Sequence, residues 1–159
     1  MKKTSLLWLF ALLLVLPLGF VSCSDDDDEG PGSAEELVGV WEPVYGRFIE
    51  KVDGKVVYEF EGALSVEDGD VERTRLNADG TYDIAEFRNN QWIWTSEVGE
   101  WSYSGNKITI KEKYDTETEV ATIKSFTGNK LAIEFEDTYT DSGISYYDYS
   151  YVELTRVKE

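Results

Sequence analysis

The chain has 159 residues, a formal net charge of −17, 14% aromatic residues, no histidine and a single cysteine. Its acidic balance excludes nucleic-acid binding, because that function needs a basic footprint and the Lys and Arg residues here are scattered among acids. Without histidine and with only one thiol, the chain also lacks a disulfide framework, the usual general base and the common zinc ligands.

Residues 1–22 are predicted to be a signal peptide. Two lysines open the segment, residues 6–16 form an apolar run that is too short to span a membrane, and Ser22 supplies a small residue before the cut. Val21-Ser22-Cys23 then resembles the lipobox of bacterial lipoproteins, whose cysteine is diacylated and becomes the first residue of the mature chain. The resemblance implies that Cys23 carries a lipid anchor in the outer membrane. The alternative is an ordinary secretory signal beside a buried cysteine.

Residues 23–33 are predicted to be a lipidated, acidic and flexible tether, because a polar segment interrupted by Gly30-Pro31-Gly32 buries no apolar surface. The acid run at residues 25–29 resembles the export signal of surface-displayed lipoproteins in some Gram-negative bacteria, which implies exposure at the cell surface. The alternative is a solvated spacer. Removal of residues 1–22 leaves 137 residues with a formal charge of −19, a length that suits one domain at residues 34–159.

This domain is predicted to be all-β after a short helical turn at residues 34–37. Period-two alternation and turn signals delimit about eight to ten strands, at residues 40–51, 55–61, 71–77, 81–88, 91–96, 99–104, 107–113, 117–127, 130–137 and 144–157. Short connections such as Asp53-Gly54 and Asp79-Gly80 favour antiparallel neighbours. We expect an up-and-down meander that closes into a barrel of about eight strands, since open edges would stay unpaired. Such a barrel is just wide enough for one small ligand.

Gly39-Val40-Trp41, which opens the first predicted strand, resembles the Gly-X-Trp motif of lipocalins. The segments that follow are similar, in their order, to those of small bacterial lipocalin-like lipoproteins: 76–82, 99–103, a repeated Gly-Asn-Lys-aliphatic unit at 105–108 and 128–131, and 151–156. The resemblance implies a lipocalin-like barrel. It also implies that Trp41 packs across the base of the barrel against Arg156 of the last strand, in a structural role.

No catalytic, cofactor or metal site is expected. The serines and threonines have no base to activate them, and among 32 acids some carboxylates, such as Asp83, Glu86, Glu97 and Glu100, will approach one another by chance. The acidic cluster at residues 67–70 lacks the EF-hand spacing of calcium ligands, so a surface turn is the better interpretation.

Aromatic residues provide the remaining signal. Two groups each share one strand face, namely Trp92 with Trp94, and Tyr147 with Tyr149 and Tyr151. They form either a cross-strand ladder on a barrel wall or a binding surface. Two functions therefore stay open. The barrel binds a small apolar or amphipathic ligand, or an acidic aromatic face binds a protein or glycan while the barrel interior is filled.

Overall fold

The computed structural model describes residues 30–68, 71–114 and 117–158, and the predicted signal peptide and Cys23 lie outside these ranges. Short 3-10 helices at Ala34–Leu37 and Val66–Asp68 precede the first and third strands. No helix in the described ranges is long and apolar enough to cross a membrane. The strands are β1 (Gly39–Val52), β2 (Lys55–Ala63), β3 (Glu72–Leu76), β4 (Thr81–Arg88), β5 (Gln91–Ser104), β6 (Lys107–Glu112), β7 (Glu119–Phe126), β8 (Lys130–Asp141) and β9 (Ile144–Val157).

Eight of these strands close into a barrel. Strands β3 to β9 follow one another as antiparallel neighbours, β9 pairs with β1, and the first residues of β1 pair with β3. Closure pairs strand edges that an open sheet would leave unpaired, which is the reason that an alternating sequence of this kind adopts it. The prediction of an all-β, antiparallel barrel of about eight strands is confirmed.

Strand β2 is an addition to the closed circuit. β1 is 14 residues long, and only Gly39, Val40 and Trp41 pair with β3. The same edge of β1 is therefore open from Tyr45 onward, and β2 pairs there after the hairpin at Asp53-Gly54. Both hairpin residues have positive φ, as the Asp-Gly sequence predicts.

Strand β5 is one strand where the sequence predicts two, at residues 91–96 and 99–104. The register of the β4–β5 pair shifts between Tyr82 and Ile84, so the extra residues of β5 form a bulge rather than a turn. Glu97 has positive φ in this bulge, and its N–H donates to the carboxylate of Asp83 at 2.7 Å. The bulge bends the strand and lets it continue across the barrel wall.

The two ends of the barrel differ. The base is the end that the Ala34–Leu37 helix covers, and the mouth is the opposite end, which carries the hairpins after β1, β4, β6 and β8. Buried side chains concentrate at the base, where Trp41 is 1% exposed. We call this group the base cluster: Leu37, Trp41, Leu76, Tyr82, Trp101, Ile108, Ile123 and Leu131. The N-terminal segment is fixed there as well, because the hydroxyl of Tyr103 donates to the carbonyl oxygen of Pro31.

Candidate functional site

Arg156 joins three parts of the base. Its guanidinium lies 4.3 Å from the centre of the Trp41 ring, and its Nε donates to the carbonyl oxygen of Gly128 at 2.7 Å. Its two terminal nitrogens donate to the carbonyl oxygens of Val38 and Glu36. The side chain therefore holds the first helix, the β7–β8 hairpin and β9 together, which is a structural arrangement.

Trp41 and Gly39 complete this arrangement. The indole Nε1 of Trp41 donates to the carbonyl oxygen of Leu37 at 2.8 Å, which satisfies the one polar atom of a buried ring. Gly39 has a φ of 139°, and Nη1 of Arg156 occupies the space that a Cβ at this position would take. The Gly-X-Trp motif thus has a physical reason, since any larger residue at position 39 would displace the arginine.

A cavity of about 650 Å³ lies between the base cluster and the mouth. This volume is within the range of small-molecule sites. Residues of β3, β4, β6, β7 and β8, together with the β6–β7 connection, line it: Thr74, Tyr82, Ile84, Ile110, Glu112, Glu117, Thr118, Glu119, Val120, Phe135, Glu136 and Asp137. The barrel interior is therefore not completely filled.

The lining changes character from the base toward the mouth. Nearest the base cluster it is formed by Tyr82, Ile84, Ile110 and Phe135, whose side chains are apolar or aromatic. Acidic side chains follow toward the mouth. Burial raises the pKa of Tyr82, and the negative charges of two acids, Glu112 and Glu119, raise it further. The field of these carboxylates thus reaches the inner part of the cavity.

Trp92 and Trp94 lie on the outer surface of the barrel. They pair with Phe87 and Ala85, which alternate with the cavity-lining Ile84 on β4. Arginines of β3, on the other side of β4, cover both indoles, with Arg73 at 4.1 Å from the ring centre of Trp92 and Arg75 at 3.9 Å from that of Trp94. The structure therefore brings these tryptophans into a ladder of cation–π pairs on the wall.

Tyr147, Tyr149 and Tyr151 also lie on the outer wall, on the face of β9 opposite Leu154. Lys51 Nζ lies 4.6 Å from the ring centre of Tyr147. The hydroxyl of Tyr149 donates to Glu134 at 3.1 Å, and that of Tyr151 donates to Glu153 at 3.1 Å. Burial raises the pKa of all three phenols, and neighbouring glutamates raise it further. These rings are tied to adjacent strands and do not converge with the two tryptophans.

Among the four carboxylates considered as a catalytic pair, Asp83 and Glu86 have separate partners. Asp83 is 7% exposed, and besides the N–H of Glu97 it accepts from Asn77 Nδ2 at 3.3 Å and lies 3.5 Å from Nη1 of Arg75. Glu86 pairs with Arg88. Glu97 and Glu100 are exposed. Within the described parts of the chain, no three potential metal ligands come together.

The sequence analysis did not single out the acids of the cavity. They could have been identified in the sequence as acids that occupy the next alternate position after a run of apolar residues on one strand face. On β6 the face runs Ile108, Ile110, Glu112, and on β8 it runs from Leu131 through Ile133 and Phe135 to Asp137. An acid at the next alternate position points into the same interior as the apolar residues before it.

A comparison with protein families finds one described as a lipocalin-like domain, whose model matches residues 37–133. The match covers more than half of the chain and runs from Leu37 of the base cluster through β7 into the first residues of β8. Trp41 and most of the cavity lining fall within it. A search of curated proteins finds no match.

Proposed function

Because the chain belongs to the family of lipocalin-like domains, we propose that its barrel binds a small apolar or amphipathic molecule in the cavity above the base cluster. The observation that carries the proposal is the cavity of about 650 Å³, which has an inner wall of Ile84, Ile110 and Phe135. Burial of an apolar ligand against these side chains would contribute roughly 25 cal/mol per Å² of apolar surface removed from water. We propose binding rather than catalysis, since Asp83, Glu86 and Glu97 each pair with a cation and not with one another.

A cavity-filling variant tests this proposal. The full chain should bind the neutral fluorescent probe N-phenyl-1-naphthylamine saturably, and Ile84→Trp should weaken binding at least about tenfold, because the larger ring occupies the inner cavity. Fluorescence titration measures both affinities. The matched control is Ile49→Trp, since Ile49 lies on the outer face of β1 opposite Tyr149 and should leave binding unchanged.

Two outcomes would contradict the proposal. One is the absence of a saturable site in the unmodified chain. The other is normal probe binding by Ile84→Trp in a chain whose unfolding midpoint shows that it is folded.

We also propose that Cys23 is lipidated and anchors the domain to the outer membrane, with the domain exposed at the cell surface. The support comes from the lipobox-like Val21-Ser22-Cys23 and the acid run at residues 25–29. Each acyl methylene buried in a bilayer contributes about 0.8 kcal/mol, so two or three chains suffice for stable attachment. The domain then needs no membrane-binding surface of its own.

The anchor is tested by Cys23→Ala in a Gram-negative host. This variant should move from the membrane fraction to the soluble fraction and should not incorporate labelled palmitate, because no thiol is left for acylation. Ser24→Ala, one residue away, is the control and should stay with the membranes. Protease treatment of intact cells measures surface exposure. Membrane association that survives Cys23→Ala would refute the anchor.

A second candidate function is binding of a glycan or protein by the outer wall. The observation in its favour is a groove of about 660 Å³ beside Trp92, lined also by Phe87, Asn89, Asn90, Arg73, Val66, Glu42 and Glu67. Aromatic and amide side chains together suit a sugar or a peptide. We rank it second because Arg73 already covers one face of the indole. If Trp92→Ala abolished binding of a glycan or protein partner and left probe binding unchanged, that result would favour this second function.

A further inference from the structure

We infer that the cavity selects amphipathic ligands with a cationic head, of the alkylammonium class. The inference rests on the proposed function and adds the chemical class of the ligand. The site is the cavity itself, with its apolar inner wall, and the carboxylates nearer the mouth decide which head group it accepts. From the base toward the mouth, the cavity wall is first apolar and then acidic. This order matches a ligand with an apolar chain and a cationic head.

The first observation is the position of the acids on adjacent strands. Ile110 of β6 pairs with Glu119 of β7, so a carboxylate lies beside the part of the apolar wall that is nearer the mouth. On β8, Asp137 follows Phe135 on the inner face, and it pairs directly with Asp148 of β9. Acids of three neighbouring strands, β6 to β8, thus line the same cavity, with Glu112 on β6 completing the group, and Asp148 of β9 lies beside Asp137.

The second observation is where the cations lie. Among the described residues that line the cavity, five are acidic and none is Lys or Arg. The lysines of the same strands alternate with the inward residues and face outward, as Lys124 does in its ion pair with Glu134 at 3.3 Å. Arg156 lies at the base. The lining of the cavity is therefore acidic, whereas Lys124 and Arg156 lie on the outer wall and at the base.

The third observation is an aromatic pair beside the acids. Tyr139 and Tyr146 pair across β8 and β9, two positions beyond Asp137 and Asp148 on the same face, and their rings stack at 4.9 Å. Burial raises the pKa of Tyr139, and the negative charges of Asp148 and Asp137 raise it further. Carboxylates beside tyrosine rings are the combination that recognises an ammonium group, by charge and by cation–π attraction.

The acids that line the cavity are exposed, so they remain solvated and attract a cationic head through a charge that salt screens. The only hydrogen bond to the Asp137 carboxylate among the described residues comes from the N–H of Thr138, at 2.8 Å, so acceptor capacity is left for a ligand. A carboxylate head in the same position would meet like charge instead.

Three probes with the same ten-carbon chain test the inference on the full chain: decylammonium, decanol and decanoate. We expect decylammonium to bind at least about tenfold more tightly than decanol, and decanoate to bind more weakly than both, by calorimetry below the micellar concentration. The advantage of decylammonium over decanol should shrink as salt rises from about 0.02 to about 0.5 M.

The double variant Glu119→Gln/Asp137→Asn should reduce the decylammonium affinity about tenfold and leave that of decanol unchanged, since the substitutions keep shape and remove charge. The control Glu59→Gln/Glu100→Gln removes the same charge from exposed outer positions and should change none of the three affinities. Unfolding midpoints verify that both variants are folded.

The outcomes separate the two proposals. Decanol binding without a preference for decylammonium, or a preference that the double variant retains, overturns this inference and leaves the proposed function standing. Failure of all three probes to bind overturns both.

Discussion

Replacing Trp41 by alanine should lower the free energy of unfolding by about 4 kcal/mol. The indole is 1% exposed, packs in the base cluster and lies 6.4 Å from the ring of Phe126. Its removal leaves a cavity at the base and deprives the carbonyl oxygen of Leu37 of its donor. Arg156 also loses the ring over which it stacks. Three consequences of one substitution thus act on the same end of the barrel.

Chemical denaturation followed by circular dichroism measures this loss without relying on tryptophan emission. Trp92→Ala is the matched control, because it removes the same side chain from the outer wall, where the indole contacts Arg73 and Phe87. We expect that control to cost about 1 kcal/mol. Equal losses in the two variants would show that the base does not have the structural importance assigned to it.

Arg156→Met should cost about 3 kcal/mol, although the residue is only partly buried. Methionine retains an apolar chain against Trp41, so the loss reports mainly on the guanidinium. That group donates to the carbonyl oxygens of Gly128, Val38 and Glu36, and without it these acceptors lose a charged partner. Lysine cannot replace it, because one ammonium group lacks the planar fork that reaches three separated oxygens.

Thermal unfolding of Arg156→Met and Arg156→Lys checks the expectation, and we predict a lowering of about 10 °C for the first and a smaller but clear decrease for the second. Arg47→Met is the control. Arg47 forms an exposed pair with Glu61 at 3.5 Å, so its loss should change stability by no more than about 0.5 kcal/mol. A similar effect at both arginines would contradict the role of Arg156.

The sequence was sufficient to predict the barrel because alternation identifies the inner face of each strand and closure satisfies the edges. It was not sufficient at β2 or β5. Alternation cannot tell which edge a strand will join, and β2 joins the part of β1 that β3 leaves open. Residues 97–98 are predicted to separate two strands, yet Asp83 of the neighbouring strand accepts from the N–H of Glu97 and holds it in a bulge. That contact is between strands and has no local signal.

For the candidate residues too, the sequence predicted which side chains share a face and did not predict the contacts that they make with other strands. The sequence identified the aromatic faces of Trp92 and Tyr149, but their partners come from other strands: Arg73 covers the first, and Glu134 accepts from the second. Only the register between strands reveals that these rings contact side chains of the outer barrel wall. The acids of the interior are encoded more plainly, since Asp137 simply continues the face of Phe135.

The contact between Pro31 and Tyr103 fixes the point at which the N-terminal segment reaches the barrel. That point lies at the base, so if Cys23 carries the proposed lipid, the mouth is the end farther from the attachment. Strands of 14 residues, tilted as in small barrels, span about 35 Å. The opening would then lie roughly that distance from the point of attachment, and a ligand would enter from the surrounding medium.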